Sequence, residues 1–240
     1  NTDEATVSPT TLTFTAANWD TPQTVTISGV DDNIDDGDQN SIVTVSIDKP
    51  GTADALYDLL VSQTVMVTTT NDDIAGFTIV ESAGSTSVNE SGTTDSFTVV
   101  LDAQPLGDVV LDVVSGGTDE ATVSPATLTF TSANWDTPQT VTVTGVDELV
   151  ADGPQITIVT ISINAAATTD AKFDPLIEQQ ISASTLDDDV PTLTVTIAEN
   201  SIGEGDGPNA TTGTVTRNTP TVDPLVVLVT SSDQSEATVP

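Results

Sequence analysis

Apolar and polar residues alternate with a period of two along most of this chain. In Thr11-Leu-Thr-Phe-Thr15 the side chains of Leu12 and Phe14 share one face, and in Thr24-Val-Thr-Ile-Ser28 so do Val25 and Ile27. The same pattern marks Ser41–Ile47, Thr64–Thr70, Gly76–Glu81, Ser96–Asp102 and Val109–Ser115, then Ala126–Thr131, Thr140–Val146, Ile156–Ile163 and Gln180–Thr185, and last Thr192–Glu199, Gly213–Asn218 and Leu225–Ser231. Each run predicts a strand with one buried and one wet face, and the Thr, Ser and Val that dominate it suit such a pleated surface. Asp, Gly, Pro and Asn fill the gaps, as in Asp31–Asp38 and Ser115–Asp119, where they supply turns. No segment sustains a helical period, although Ala53–Leu60 has room for one short turn. About seven short strands per hundred or so residues predict an all-β, immunoglobulin-like sandwich of two antiparallel sheets.

The pattern also repeats on a longer scale. Glu4–Asp32 and Glu120–Glu148 agree at 24 of 29 positions, at an offset of 116 residues, and Ser235-Glu-Ala-Thr-Val-Pro240 begins a third copy in the same register. This period is too long for a solenoid turn or a propeller blade and matches a whole domain. The Asp-rich stretches Asn71-Asp-Asp73 and Asp187-Asp-Asp189 each precede a fresh strand, so they read as domain ends. The expected division is residues 1–74 as the later strands of a first repeat, 75–189 as a complete repeat, and 190–240 as the early strands of a third. The linkers Ile74-Ala75 and Val190-Pro191 are short enough for neighbours to abut end to end.

Charge narrows the functional classes. The 240 residues include 37 Asp and Glu but only three cations, Lys49, Lys172 and Arg217, for a net charge of −34. Nucleic acid is excluded as a partner, because there is no basic footprint to meet phosphates. No apolar run approaches the ~18 residues of a membrane span, so no membrane insertion is expected. With no Cys and no His, the usual Ser-His and Cys-His nucleophiles have no base, and no enzyme is expected. Trp19 and Trp135 are read as caps on a sandwich core.

The carboxylates are clustered. One group is Asp31-Asp32-Asn-Ile-Asp35-Asp36-Gly-Asp38, with the counterpart Asp147-Glu148-Leu-Val-Ala-Asp152-Gly; each follows a strand ending in Gly-Val. The second group is the domain end, Asp72-Asp73 or Asp187-Asp188-Asp189. The third is a lone Glu early in the repeat, Glu90 or Glu204. Acidic turns are often merely solvated, but two such loops meeting at one sandwich end would offer the hard oxygen donors that Ca²⁺ prefers. Gly37 falls one residue late for an EF-hand, and no Glu stands at its twelfth position.

Three motifs, Val30-Asp-Asp-Asn-Ile34 followed by Asp36, Asn71-Asp-Asp-Ile-Ala-Gly76, and Asn89-Glu-Ser-Gly92, resemble the Calx-beta family in that family's order. The family includes the calcium-sensing domains of sodium–calcium exchangers and many bacterial extracellular repeat proteins. The resemblance implies Ca²⁺ bound at one end of each sandwich. In the complete repeat the implied ligands are Glu90, Asp147, Glu148, Asp152, Asp187, Asp188 and Asp189, with the carbonyl of Val150 and, more weakly, Glu120. In the first repeat they are Asp31, Asp32, Asp36, Asp72 and Asp73, with the carbonyl of Ile34 and Glu4. In the third they are Glu204 and Glu236. The function this points to is an extracellular, secreted or cell-surface segment of a rod, matrix or filament, stiffened by Ca²⁺. The alternatives are a calcium-sensing or ligand-binding module and an ion-independent spacer. The expected partners are neighbouring copies of the repeat, in the same chain or in head-to-tail subunits, and a cell-surface or matrix ligand.

Overall fold

The computed structural model describes residues 2–207, 210–220 and 224–239. The strands are β1 (Ala5–Ser8), β2 (Thr26–Gly29), β3 (Gln39–Val45) and β4 (Gln63–Thr69). There follow β5 (Phe77–Glu81), β6 (Thr86–Asn89), β7 (Thr94–Leu101), β8 (Val109–Ser115), β9 (Ala121–Ser124), β10 (Thr127–Phe130), β11 (Gln139–Gly145), β12 (Gln155–Ile163) and β13 (Gln179–Leu186). Last come β14 (Leu193–Ile197) and β15 (Gly213–Arg217). Among the described residues helix is confined to two short 3-10 turns, Tyr57–Leu59 and Ser82–Gly84. No described helix is long and apolar enough to cross a membrane.

Strands β5 to β13 close into an immunoglobulin-like sandwich. One sheet runs β10-β8-β12-β13-β6 and the other β5-β7-β11-β9. Neighbours are antiparallel except β13 and β6, which run parallel. Alternation sorts the side chains: β7 turns Phe97, Val99 and Leu101 inward and β11 turns in Val141 and Val143. From the facing sheet come Val109, Leu111, Val113, Leu128, Phe130, Val159 and Ile161. Each such large side chain contributes about 1.5–3 kcal/mol relative to exposure. A one-residue slip of β7 would bring Thr98 and Val100 inside instead, so register is fixed by the pattern itself.

The chain changes sheets between β5 and β6. The turn at Ser82–Gly84 places Ala83 at φ 52° and Gly84 at φ 81°, a left-handed pair that glycine adopts without strain. It swings β6 onto the far sheet, so that the residue after β6, Glu90, donates its backbone N–H to the Leu186 carbonyl at 3.1 Å, at the end of β13.

The flanking segments form two-stranded pieces: β1 with β2, β3 with β4, and β14 with β15. Thr11–Thr15 and Leu225–Ser231, both expected as strands, are not in strand conformation. Trp135 packs against the central core, but Trp19, its counterpart, is 71% exposed. The cause is shared. The central copies of these segments lie against a second layer, whereas among the described residues the flanking copies pair with no strand.

Loop 31–38 meets the central sandwich directly. Lys172 Nζ lies 2.8 Å from Asp35 Oδ1, Ala75 N–H donates to Asp35 Oδ2 at 3.0 Å, and Gln104 N–H donates to the Asn33 carbonyl at 2.6 Å. The equivalent loop of the central sandwich reaches onward, with Ala151 N–H donating to the Asn218 carbonyl at 2.9 Å.

Candidate metal centre

Glu90 is the buried residue around which this site is built. Its side chain has no exposure at all, and both carboxylate oxygens lack a hydrogen-bond partner. A carboxylate in that position is costly unless something cationic or protic meets it. Burial, followed by the charges of Asp187, Glu120, Glu148 and Asp152, raises the Glu90 pKa from an ordinary 4.5 to about 7. The close approach of β11 helps to frame it. Gly145 ends that strand, and any side chain there would run into the Asn89 carbonyl oxygen.

The other carboxylates arrive on three loops. Glu120 precedes β9, and its carbonyl accepts from Val146 N–H at 2.9 Å and from the Thr185 hydroxyl at 3.3 Å, tying that turn to the ends of β11 and β13. Glu148 and Asp152 come from the loop after β11. Asp187 and Asp189 follow β13. Asp187 binds the two loops together: one of its oxygens accepts from Gly153 N–H at 2.6 Å, the other from Asp189 N–H at 2.8 Å.

Two triplets result. Single oxygens of Glu90, Glu148 and Asp152 lie within 4.8 Å of one another, and so do those of Glu90, Asp187 and Asp189. Glu90 belongs to both. Buried oxygens of Glu120, Glu148, Asp152 and Asp189 also lack hydrogen-bond partners. Burial, then mutual repulsion, raises the pKa values of Glu120, Glu148 and Asp189. The donor set is all oxygen and all anionic, which fits a hard divalent cation such as Ca²⁺.

Of the ligands implied by the sequence, the structure thus brings together Glu90, Glu148, Asp152, Asp187 and Asp189. Asp147 and Asp188 are exposed at the rim, close enough to Asp189 to raise its pKa. Val150 is half-buried in the same loop. Glu120, the weaker candidate, stands among the central acids; its signal in the sequence was its recurrence as Glu4 and Glu236.

In the first repeat, Glu4, Asp31, Asp32, Asp36, Asp72 and Asp73 line one open cavity of about 320 Å³. Burial, then neighbouring carboxylates, raises the pKa values of Glu4 and Asp73. The Ile34 carbonyl accepts from Asp36 N–H at 2.9 Å, which leaves its second lone pair free for an ion. Glu204 and Glu236 of the third repeat are both exposed.

No family model matches this chain, and no curated protein does. Solved structures with some likeness include domains 1–6 of the surface layer protein SbsC, 17% identical, covering 80% of this chain and 26% of that one at a TM-score of 0.37. Others are the Escherichia coli chaperone DraB, 8% identical over 47% of this chain at 0.33, and a PapD-like domain of human CEP192, 13% identical over 48% of this chain and 86% of that one at 0.33. The match spans 55% of the length of DraB.

Proposed function

We propose that this chain is an extracellular structural repeat segment of Calx-beta type whose joints are stiffened by Ca²⁺. One observation carries the reading: Glu90 is fully buried, with two unpartnered carboxylate oxygens, among four further acids and no cation from the protein. Ca²⁺ supplies the missing charge. Glu90, Glu148 and Asp152 would hold one ion, Glu90, Asp187 and Asp189 a second, and Glu120 would close the inner side.

The position of the site gives that binding a mechanical consequence. The acidic loop of each repeat is also the loop that touches the next one, through Asn33 and Asp35 at the first joint and Ala151 at the second. Neutralising the loop fixes its conformation and thereby the joint. Without the ion the carboxylates repel one another and the loop opens.

The test is thermal unfolding with Ca²⁺ and with chelator, together with titration calorimetry. Binding only to the folded state stabilises by about 2.7 kcal/mol per site at a hundredfold excess over Kd. Saturating Ca²⁺ should raise the midpoint, and Glu90→Gln should remove most of that rise. An unchanged melting curve in low-salt chelator buffer would refute the calcium reading. Dissociation constants near millimolar favour a scaffold, and micromolar ones a sensor.

A further inference from the structure

We propose that Asp95, a member of neither acidic triplet, is the positioning residue that holds Glu90 ready for the ion, a role that rests on the calcium reading of the site. Glu90 is delivered to the acidic cluster by β6, and β6 has little of its own to keep it there. It sits at the edge of its sheet, paired with β13. Of its four residues only Thr86 and Val88 are buried. The chain reaches it by crossing from the sheet of β5, through the left-handed turn at Ala83 and Gly84.

Asp95 stands where an apolar residue belongs. On β7 the side chains of Phe97, Val99 and Leu101 turn inward, and the period of two puts Asp95 on the same face, opposite the buried Val143 of β11. A half-buried carboxylate there is costly unless donors meet it. Three do. Its Oδ1 accepts from the Ser82 hydroxyl and from Ser96 N–H at 2.7 Å, and its Oδ2 accepts from Ser87 N–H at 2.8 Å. Ser82 opens the turn, and Ser87 lies within β6, three residues before Glu90. From the sheet of β5, one side chain thus holds both the turn and the strand that leaves it. Thr86 adds a second tie, its hydroxyl donating to Glu81 Oε2 at 2.8 Å.

The arrangement recurs 116 residues later. Thr211 occupies the position of Asp95, and its hydroxyl accepts from the N–H of Glu199, the counterpart of Ala83, at 2.9 Å. In both repeats the side chain at this position is an acceptor for the switch turn. Ser87 and Glu90 are three strand steps apart, about 10 Å, so Asp95 acts on the ion only through the backbone of β6. Side chains that orient metal ligands from behind set affinity by about 10–100-fold.

Asp95→Asn tests this, because the amide offers one acceptor oxygen to three donors and turns its own N–H₂ toward one of them. Titration calorimetry of residues 1–240 with CaCl₂ should show Kd weakened about 10-fold. Phe97→Ala, two residues along the same strand, controls for lost stability alone and should keep the wild-type Kd. A second readout needs no ion. In chelator, the Glu90 N–H that donates to the Leu186 carbonyl should exchange faster in Asp95→Asn than in wild type, by more than any change at Val159 in the core. An Asp95→Asn chain with the wild-type Kd, or with unchanged exchange at Glu90, overturns the positioning role and leaves the calcium reading standing. So does an equal loss of affinity in Phe97→Ala, which reduces Asp95 to general stability. A wild type that binds no Ca²⁺ sinks the calcium reading instead, and exchange at Glu90 then decides alone whether Asp95 holds the turn.

Discussion

Glu90→Gln is the substitution that separates a strained acidic site from a merely wet one. The amide keeps the shape and removes one buried charge. Without Ca²⁺, wild-type Glu90 must ionise against a pKa of about 7, compared with an ordinary 4.5. At about 1.36 kcal/mol for each pH unit, that gap corresponds to roughly 3 kcal/mol of destabilisation once the group is fully charged. Because the folded value is raised, the cost is absent below pH 4.5, grows between 4.5 and 7, and is complete above 7. At pH 8 in chelator the variant should therefore be the more stable protein, by something on the order of 10 °C in midpoint for a sandwich of this size. Calcium should reverse the ranking: the wild type gains binding energy, and the variant, lacking the carboxylate shared by both triplets, gains little. Emission from Trp135, packed against the central core, reports the transition. A variant no more stable than wild type in chelator at pH 8, or a wild type whose stability does not fall between pH 5 and 8, would show that the buried charge is not the dominant strain.

Three further outcomes follow from the packing. Phe97→Ala, at the centre of the core, should cost about 3–5 kcal/mol in denaturant unfolding, without altering the residues that hold the acidic site. Asp95 accepts from the Ser82 hydroxyl, from Ser87 N–H at 2.8 Å and from Ser96 N–H at 2.7 Å, and its pKa is lowered, with the Ser82 bond the largest cause. Asp95→Asn should therefore destabilise by roughly 1–2 kcal/mol at neutral pH, and the difference from wild type should vanish as pH falls below the ordinary Asp value of 3.8 and through the lowered one. At the joint, a double-mutant cycle of Lys172→Met and Asp35→Asn should give a coupling of only about 0.2–1 kcal/mol, smaller still in 1 M salt, because this ion pair is partly exposed.

Much of the central sandwich could be read from alternation alone. β7, β8 and β11 place Val, Leu and Phe on every second residue, a set that a strand buries on one face; β12 is less regular, with Ile156 and Ile158 on its exposed face and Thr157 buried. β6 and β9 escaped, because Thr-Ser-Val-Asn and Ala-Thr-Val-Ser hold too few apolar residues to show a period, and they are ordered by their partners β13 and β11. The acidic site was legible in the types and order of its residues. The role of Glu90 was not. Its burial depends on the sheet switch at Ala83 and Gly84 and on the closeness that Gly145 permits, neither of which leaves a hydrophobic pattern.

The flanking segments show the converse limit. Thr11–Thr15 and Thr127–Thr131 share the sequence Thr-Leu-Thr-Phe-Thr, yet only the second contains a strand. Propensity and pattern are identical in the two, so neither decides the outcome. What differs is the partner: Thr127–Phe130 pairs with Val109–Asp112, whereas among the described residues no strand pairs with Thr11–Phe14. A half-wet strand of this kind is held by cross-strand pairing and by the layer beneath it.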